Sequence, residues 1–435
     1  MEQQKEFGIN NMRILWFTDT PSLYDQGKHH YHGAGWIESL EELIREQEGI
    51  ELAVSFFHKT DNEKVINNGA TYFPILRKSA KKHPLRSIVN RWTGDSFEDE
   101  NLKSNFIDII SDFKPDVIQV FGTEGIFSKI QELTKIPVVI HIQGIINPYL
   151  NTYYPVNQSK WSFLFSKNYF FNNIIASAPA FGRKRFVIQA KRERNFLSKA
   201  KNIMGRTHWD KMLVELYNPN VQYFPVDEVL RTDFYKTDAI SKQQPNKQFK
   251  IISTLSPTIY KGIDVVLKTA KQLKELSNFD FQWEIIGLGA NAPLLKHFEK
   301  TEKINHSDVN IICCGRKNSK EMIELMQNAD VYVHPSYIDN SPNSVCEAQI
   351  LGLPVIACNV GGVATLVEHE KTGFLVPSNG VFEFVHYLRL IKADENLGYK
   401  IGQEARRVAS MRHDRDKIVS DLLMVYSALS NKKLL

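Results

Sequence analysis

Residues 334–377 read HPSYIDNSPNSVCEAQILGLPVIACNVGGVATLVEHEKTGFLVP. The apolar run 331–333 leads in and reads as a strand that ends at His334-Pro335-Ser336. Ser341 has the side chain of a helix N-cap and Pro342 suits the first helical position, so a helix is expected from about Asn343 to Leu351. Gly352 stops it, Pro354 bars its continuation, and Val355-Ile356-Ala357 is the next strand. Strand, helix and strand in this order form one unit of a parallel sheet, and such sheets hold ligands beyond the carboxyl ends of their strands. The helix start adds unpaired N–H groups and partial positive charge, a ready diphosphate site.

The alternation extends in both directions. Upstream of the motif, strands are expected at 249–253, 283–286 and 309–312. Before them the run 237–247 is polar, contains Ser241, Gln243, Gln244 and Pro245, and reads as a linker. Earlier still, strands are expected at 13–18, 51–57, 116–121, 136–141 and 202–204, with a helix opening at Gly33-Ala34-Gly35. The fold class is therefore α/β, as two domains: 12–226 and 247–405. A helical pattern fills 399–435. A chain of 435 residues supports two cores of this size.

Composition narrows the classes. The net charge of +5 fits an anionic ligand or surface without demanding one. Cys313, Cys314, Cys346 and Cys358 lack zinc-type spacing and read as buried free thiols in a reducing compartment. No apolar run approaches the roughly 20 residues of a membrane span, and residues 1–11 lack the apolar centre of a signal peptide. The expected location is cytoplasmic.

Asp339, in the loop, and Glu347, about one turn into the helix, supply carboxylates that suit sugar hydroxyls. Taken alone, two acids at this spacing read more readily as a solvated loop residue and a surface helix residue. Lys261-Gly262 follows the strand 249–253, where an ammonium can meet a phosphate as a point charge. Gly287, Gly289 and Gly315 mark turns after further strands, and Arg316 follows the last of them.

These motifs resemble the nucleotide-sugar site of glycosyltransferase family 4, whose fold is GT-B: two Rossmann-like domains facing across a cleft. The resemblance rests on Glu347-Ala348, Gly352-Leu353-Pro354-Val355, Gly361-Gly362 and Lys371-Thr372-Gly373-Phe374. It is strong over 249–377 and looser before residue 201. It implies that Glu347 meets the donor ribose, that Asp339 meets the transferred sugar, and that the backbone of Asn343, Ser344 and Val345 meets the diphosphate. Lys261 would neutralise that diphosphate beside Gly262, and Gly287, Gly315 and Arg316 would frame the nucleotide. Four places depart from the family. Asp339 stands where glutamate is usual, Ala364-Thr365 where a Pro-Glu pair is frequent, Ser256 occupies the place of a diphosphate-binding arginine, and Gln143 replaces a histidine near the sugar.

On the acceptor side, Gly33, Ala34 and Gly35 resemble a glycine loop that approaches the donor, with a plain strand-to-helix turn as the alternative. Gln143-Gly144 ends a strand, and His141 behind it reads as a neutral core histidine or a catalytic group. Arg206 is a ligand candidate or half of a buried ion pair with Asp210. Similar strings around Arg206, Arg231 and Tyr235 occur in a bacterial branch linked to surface polysaccharides.

The resemblance implies a retaining hexosyl transfer without metal or cofactor, from a nucleotide-sugar to a glycan or lipid-linked acceptor. It also implies that 406–435 pack back on the first domain. Two other readings stay open: an epimerase of the same fold, and a sugar-nucleotide-binding protein without catalysis. Two basic-aromatic stretches suit the inner face of an anionic membrane. One contains Arg77, Lys78, Lys81, Lys82, Arg86, Arg91 and Trp92. The other contains Trp161, Phe163, Phe165, Tyr169, Phe170 and Phe171, with Arg183, Lys184, Arg185, Lys191, Arg192 and Arg194. The alternative is a charged face over ordinary core. No nucleic-acid motif accompanies them.

Overall fold

The computed structural model describes residues 11–25, 35–59, 64–76, 100–175, 177–240, 248–276 and 279–430. Gly33 and Ala34, the first basic-aromatic stretch at 77–92 and the linker positions 241–247 lie outside them.

Two sheets carry the architecture. The first contains β1 (Met12–Thr18), β2 (Ile50–His58), β3 (Val65–Asn67), β4 (Ala70–Leu76), β5 (Val117–Phe121), β6 (Val138–His141), β7 (Asn202–Gly205) and β8 (Gln222–Pro225). Its order is β3-β4-β2-β1-β5-β6-β7-β8, parallel except for the β3–β4 pair. The second contains β9 (Phe249–Thr254), β10 (Phe281–Ile286), β11 (Ile311–Gly315), β12 (Val331–His334), β13 (Val355–Cys358) and β14 (Phe374–Val376). Its order is β11-β10-β9-β12-β13-β14, parallel throughout. This is the GT-B fold.

Helices cover both faces of each sheet, so the strands are apolar on both sides. In β1, Ile14 and Trp16 pack in one layer with Trp36 and Leu422, while Leu15 and Phe17 pack in another with Phe106 and Phe127. Successive side chains of a strand point to opposite faces, which puts neighbours in sequence into different layers.

Two expected elements shift. The strand expected at 309–312 is Ile311–Gly315, because the Asn305 side chain caps a short turn, His306–Val309, and Asn310 reverses the chain at φ 58°. The helical pattern at 399–435 is two helices, Glu395–Arg412 and Arg415–Ser430. The first stays on the second domain, with Ala409 packed beside Leu351 and Leu353. Only the second reaches the first sheet, where Tyr426 accepts a 2.9 Å hydrogen bond from the Trp16 indole. His413 sits at the break, its ring Nδ1 2.9 Å from the carbonyl of Glu228.

The segment between β6 and the helix Pro179–Lys199 also crosses between domains. Phe163 stacks on His297 of the second domain at 4.1 Å, and Gln158 Oε1 lies 3.0 Å from His297 Nε2. Tyr153, Phe163 and Tyr169 therefore share a core cluster with β9 and β10.

Candidate active site

β9 and β12 are neighbours in the second sheet, so their carboxyl-end loops emerge side by side. The Tyr337 N–H donates to the Tyr260 carbonyl at 2.9 Å, locking the loops together. Gly262 sits at φ 79°, and a Cβ there would lie 2.1 Å from the Pro335 carbonyl oxygen, so only glycine allows this approach. The result is a three-residue cluster. Lys261 Nζ lies 2.5 Å from Asp339 Oδ2, and His334 Nε2 lies 3.1 Å from the same oxygen.

Burial raises the Asp339 carboxyl, but the Lys261 ammonium and the His334 ring outweigh it and hold the carboxyl well below its ordinary range. Burial lowers the His334 imidazole, with partial opposition from Asp339, so the ring is neutral at neutral pH. The cluster thus combines one fixed anion, one cation and one neutral imidazole.

The helix Asn343–Leu351 opens beside this cluster and ends at Gly352, which adopts φ 84°. Its N-cap position is Pro342, with no side-chain cap bond, so Ser341 is not the cap. The Ser341 hydroxyl is spent elsewhere and donates to buried Glu228 at 2.6 Å. The Val345 N–H is also occupied, bonding the Pro342 carbonyl at 2.9 Å. The amides of Asn343 and Ser344 are the ones at the helix mouth, while Val345 itself is fully buried.

Glu347 and Asp339 hold different protein partners. Arg231, from the connection between domains, holds Glu347 by two bonds, Nε to Oε1 at 2.7 Å and Nη2 to Oε2 at 2.8 Å. Gly35 packs against the stem of that arginine, where a Cβ would lie 2.9 Å from Arg231 Cδ. Arg231 was present in a familiar string, but nothing in the sequence linked it to Glu347.

The remaining positions expected on the donor side are spread around the strand ends. The Ser256 hydroxyl is exposed and lies 3.0 Å from that of Thr258. Gly287 and Gly315 take φ 93° and 67° at the ends of β10 and β11. Arg316 is exposed beyond β11. Cys313 and Cys314 are only partly buried, unlike Cys346 and Cys358, because β11 is an edge strand.

Across the cleft, Arg206 is buried and forms an ion pair, but with Glu228 rather than Asp210: Nη1 to Oε2 is 3.6 Å. Asp210 instead accepts the N–H of Arg206 and of Thr207 and caps its own helix. Arg206 Nη2 also donates to the Gln143 carbonyl at 2.9 Å. Asn340 joins the domains by bonding Thr207 Oγ1 at 2.7 Å and donating to Asp210 at 3.2 Å. His141 is core: burial, aided by Arg206, pushes its ring down to about 3, so it stays neutral. Glu228, Cys346 and His413 bring one metal-ligating atom each within 4.8 Å of one another. Ser341 and Arg206 already serve the Glu228 carboxylate there, which accounts for the cluster without an ion.

Glu124 escaped the sequence reading. Its carboxyl occupies space left by two glycines, 2.9 Å from where a Gly144 Cβ would be and closer to that of Gly122. Burial, with Glu193 and Asp19 nearby, pushes it up to about 8. It lies near Tyr149 and Tyr260 of the opposite domain, whose rings meet at 5.0 Å. Gly144 therefore clears room for an acid on the first domain's side of the cleft.

Comparison with known proteins gives a family match and a fold likeness. Residues 236–408 match the family described as Glycosyl transferases group 1. A putative colanic acid biosynthesis glycosyltransferase, WcaL of Escherichia coli, is 32% identical over 141 residues, 31% of this chain and 34% of that protein. Matches of this kind span between 23% and 46% of the relatives' own length. Sucrose-phosphate synthase from Thermosynechococcus elongatus superposes with a TM-score of 0.71 at 13% identity, covering 96% of this chain and 99% of that one. HepE of Anabaena, solved with UDP-glucose, superposes with a TM-score of 0.61 at 13% identity, covering 96% of this chain and 100% of that one. Family match and architecture thus converge: residues 236–408 form a domain of the glycosyl transferases group 1 family, set in a GT-B fold.

Proposed function

We propose that this protein is a retaining glycosyltransferase that needs no metal or cofactor. It moves a hexose-type sugar from a nucleotide-sugar to a glycan or lipid-linked acceptor in cell-surface polysaccharide synthesis, on the cytoplasmic side of the membrane. The carrying observation is the Lys261–Asp339–His334 cluster beside the start of the helix Asn343–Leu351. Relatives point the same way, since one is a putative colanic acid enzyme and a structural neighbour holds UDP-glucose.

In this reading the donor diphosphate lies between Lys261 and the Asn343 and Ser344 amides, which stabilise the charge that develops as the sugar leaves. Asp339 accepts hydrogen bonds from sugar hydroxyls while holding Lys261 in position. The acceptor hydroxyl attacks the anomeric carbon from the face the phosphate leaves. The bond from that carbon to the phosphate oxygen breaks, the new glycosidic bond forms, and the acceptor proton passes to the departing diphosphate. No protein nucleophile is required. Glu347, released from or shared with Arg231, meets the ribose.

A thermal-shift screen of UDP-, GDP-, ADP- and CDP-sugars tests the donor, because a ligand stabilises by RT ln(1 + [L]/Kd). NMR of the product then reads the anomeric configuration, with and without chelator. Inversion, or activity abolished by chelator and restored by metal, would refute the mechanism. Stabilisation by no nucleotide-sugar would refute the donor.

A further inference from the structure

The helix Lys160–Leu164 and the helix Phe170–Ile174 lie on the crossing segment described above. Their aromatic residues divide sharply. Phe163 is 0% exposed and Tyr169 is 7% exposed, so both are core. Trp161, Phe165, Phe170, Phe171, Ile174 and Ile175 point the other way, with Phe165 and Phe171 each 78% exposed. Single exposed apolar side chains are ordinary, but six within fifteen residues form a patch that has a purpose.

The patch is built, not frayed. Trp161 and Phe165 stack at 5.9 Å, and Phe170 meets Phe171 edge-on at 5.4 Å. Asn173 Nδ2 donates to the Phe163 and Leu164 carbonyls at 3.2 and 2.9 Å, tying the two helices together. The ledge is fixed beneath by Phe163 on His297.

Its charge is one-sided. From Leu133 to Arg192 the chain contains no Asp or Glu, whereas Lys160, Lys167, Arg183, Lys184 and Arg185 all fall there. Lys160 lies over the Trp161 ring, at 5.5 Å. Burial raises the Tyr154 phenol and nearby Arg183 opposes that rise, and Tyr154 stacks on Phe163 at 6.0 Å. Exposed aromatic side chains on a segment rich in lysine and arginine, with no acid of its own, match the headgroup level of an anionic bilayer.

The ledge also has a direction. Rings step from Tyr260, beside Lys261, to Phe186 at 6.4 Å, to Tyr153 at 5.2 Å, to Tyr154 at 5.0 Å and to Phe163 at 6.0 Å. The root of the ledge therefore reaches the cleft where the donor lysine stands.

We infer that residues 161–175 are a docking surface for an anionic lipid bilayer, which seats the cleft mouth at the membrane. The inference rests on the proposed reading only for its purpose, delivery of a lipid-linked acceptor. The contact itself rests on the patch and its charge. The second basic-aromatic stretch thus contributes its exposed rings, and its buried rings anchor them.

Co-sedimentation with phosphatidylcholine vesicles, with and without phosphatidylglycerol, tests it on the full chain. Wild-type protein is expected to bind the anionic vesicles at low salt, and salt is expected to weaken the binding. The triple variant F165S/F170S/F171S is expected to lose binding about tenfold or more, since the rings supply the salt-resistant part. K160E/K167E should lose the salt-sensitive part. All five positions are exposed, and an unchanged melting temperature with unchanged nucleotide-sugar stabilisation certifies the fold and the donor site. No wild-type binding, or a triple variant that binds as wild type, overturns the inference. So does a dimer in sedimentation velocity that the triple variant dissociates while vesicles stay unbound, since the occupant is then a second copy. Failure of the glycosyl-transfer reading would appear separately, as absent donor stabilisation in protein that still binds vesicles.

Discussion

Replacing Lys261 by methionine tests the electrostatics of the site most directly. Methionine keeps length and apolar contact while removing the charge that neutralises Asp339. The two side chains are 23% and 11% exposed, so the pair is largely but not fully desolvated. Breaking a fully buried pair costs about 3–5 kcal/mol because one charge is left uncompensated. Partial solvent access reduces this to about 2 kcal/mol, which corresponds to a drop of about 4–8 °C for a domain of this size.

The pH dependence gives the sharper signature. In the wild type the folded Asp339 carboxyl lies below its ordinary value, with Lys261 and His334 outweighing burial. Its contribution is complete above the ordinary carboxylate range and disappears only as pH falls through the depressed value, so it is flat from pH 5 to 8. Without Lys261, burial dominates and raises the carboxyl, so the variant loses stability as pH rises through the new folded value. His334 reinforces this, because removing the ammonium lets it accept a proton more readily. The melting deficit of Lys261→Met should therefore be larger at pH 8 than at pH 5, read by calorimetry across that range. Equal deficits at both pH values, or a deficit that grows on acidification, would refute the reasoning.

Glu347→Ala should reduce nucleotide-sugar affinity or turnover at least tenfold, about 1.4 kcal/mol; unchanged kinetics in a folded variant removes Glu347 from the site. Gly262→Ala should destabilise by at least about 2 kcal/mol, from backbone strain and overpacking, whereas Gly289→Ala, where a Cβ meets nothing within 4 Å, should be close to neutral in denaturant titration. Glu124 is raised from 4.5 to about 8, so its stability contribution is complete below about 4.5 and is lost as pH rises towards 8. Glu124→Gln should therefore gain melting temperature on the wild type between pH 5 and pH 8, and a constant difference would show that the carboxyl is not held neutral.

The sequence by itself determined the periodic part of this protein. Apolar runs at 13–18, 249–253 and 331–333 became strands because residues buried on both faces leave no alternation to misread. The helix Asn343–Leu351 was legible at both ends, since Pro342 and Gly352 constrain backbone dihedrals through their own covalent structure. The family resemblance, carried by Glu347 and the glycines around it, followed from the same local signals. Side-chain partnerships were not legible, because they depend on which loops the sheet order places side by side. Lys261 and Asp339 are 78 residues apart and meet through the pairing of β9 with β12. Glu347 and Arg231 are 116 residues apart and meet where the connection between domains passes the second sheet's helix Asn343–Leu351. Ser341 looked like a cap until the fold set Glu228 beside it, and a buried carboxylate binds a hydroxyl more strongly than a helix end does. Burial likewise divided one aromatic run, sending Phe163 into the core and Phe165 to the surface. Composition cannot make that choice, since both are phenylalanine, and only the position of His297 in the opposite domain selects between them.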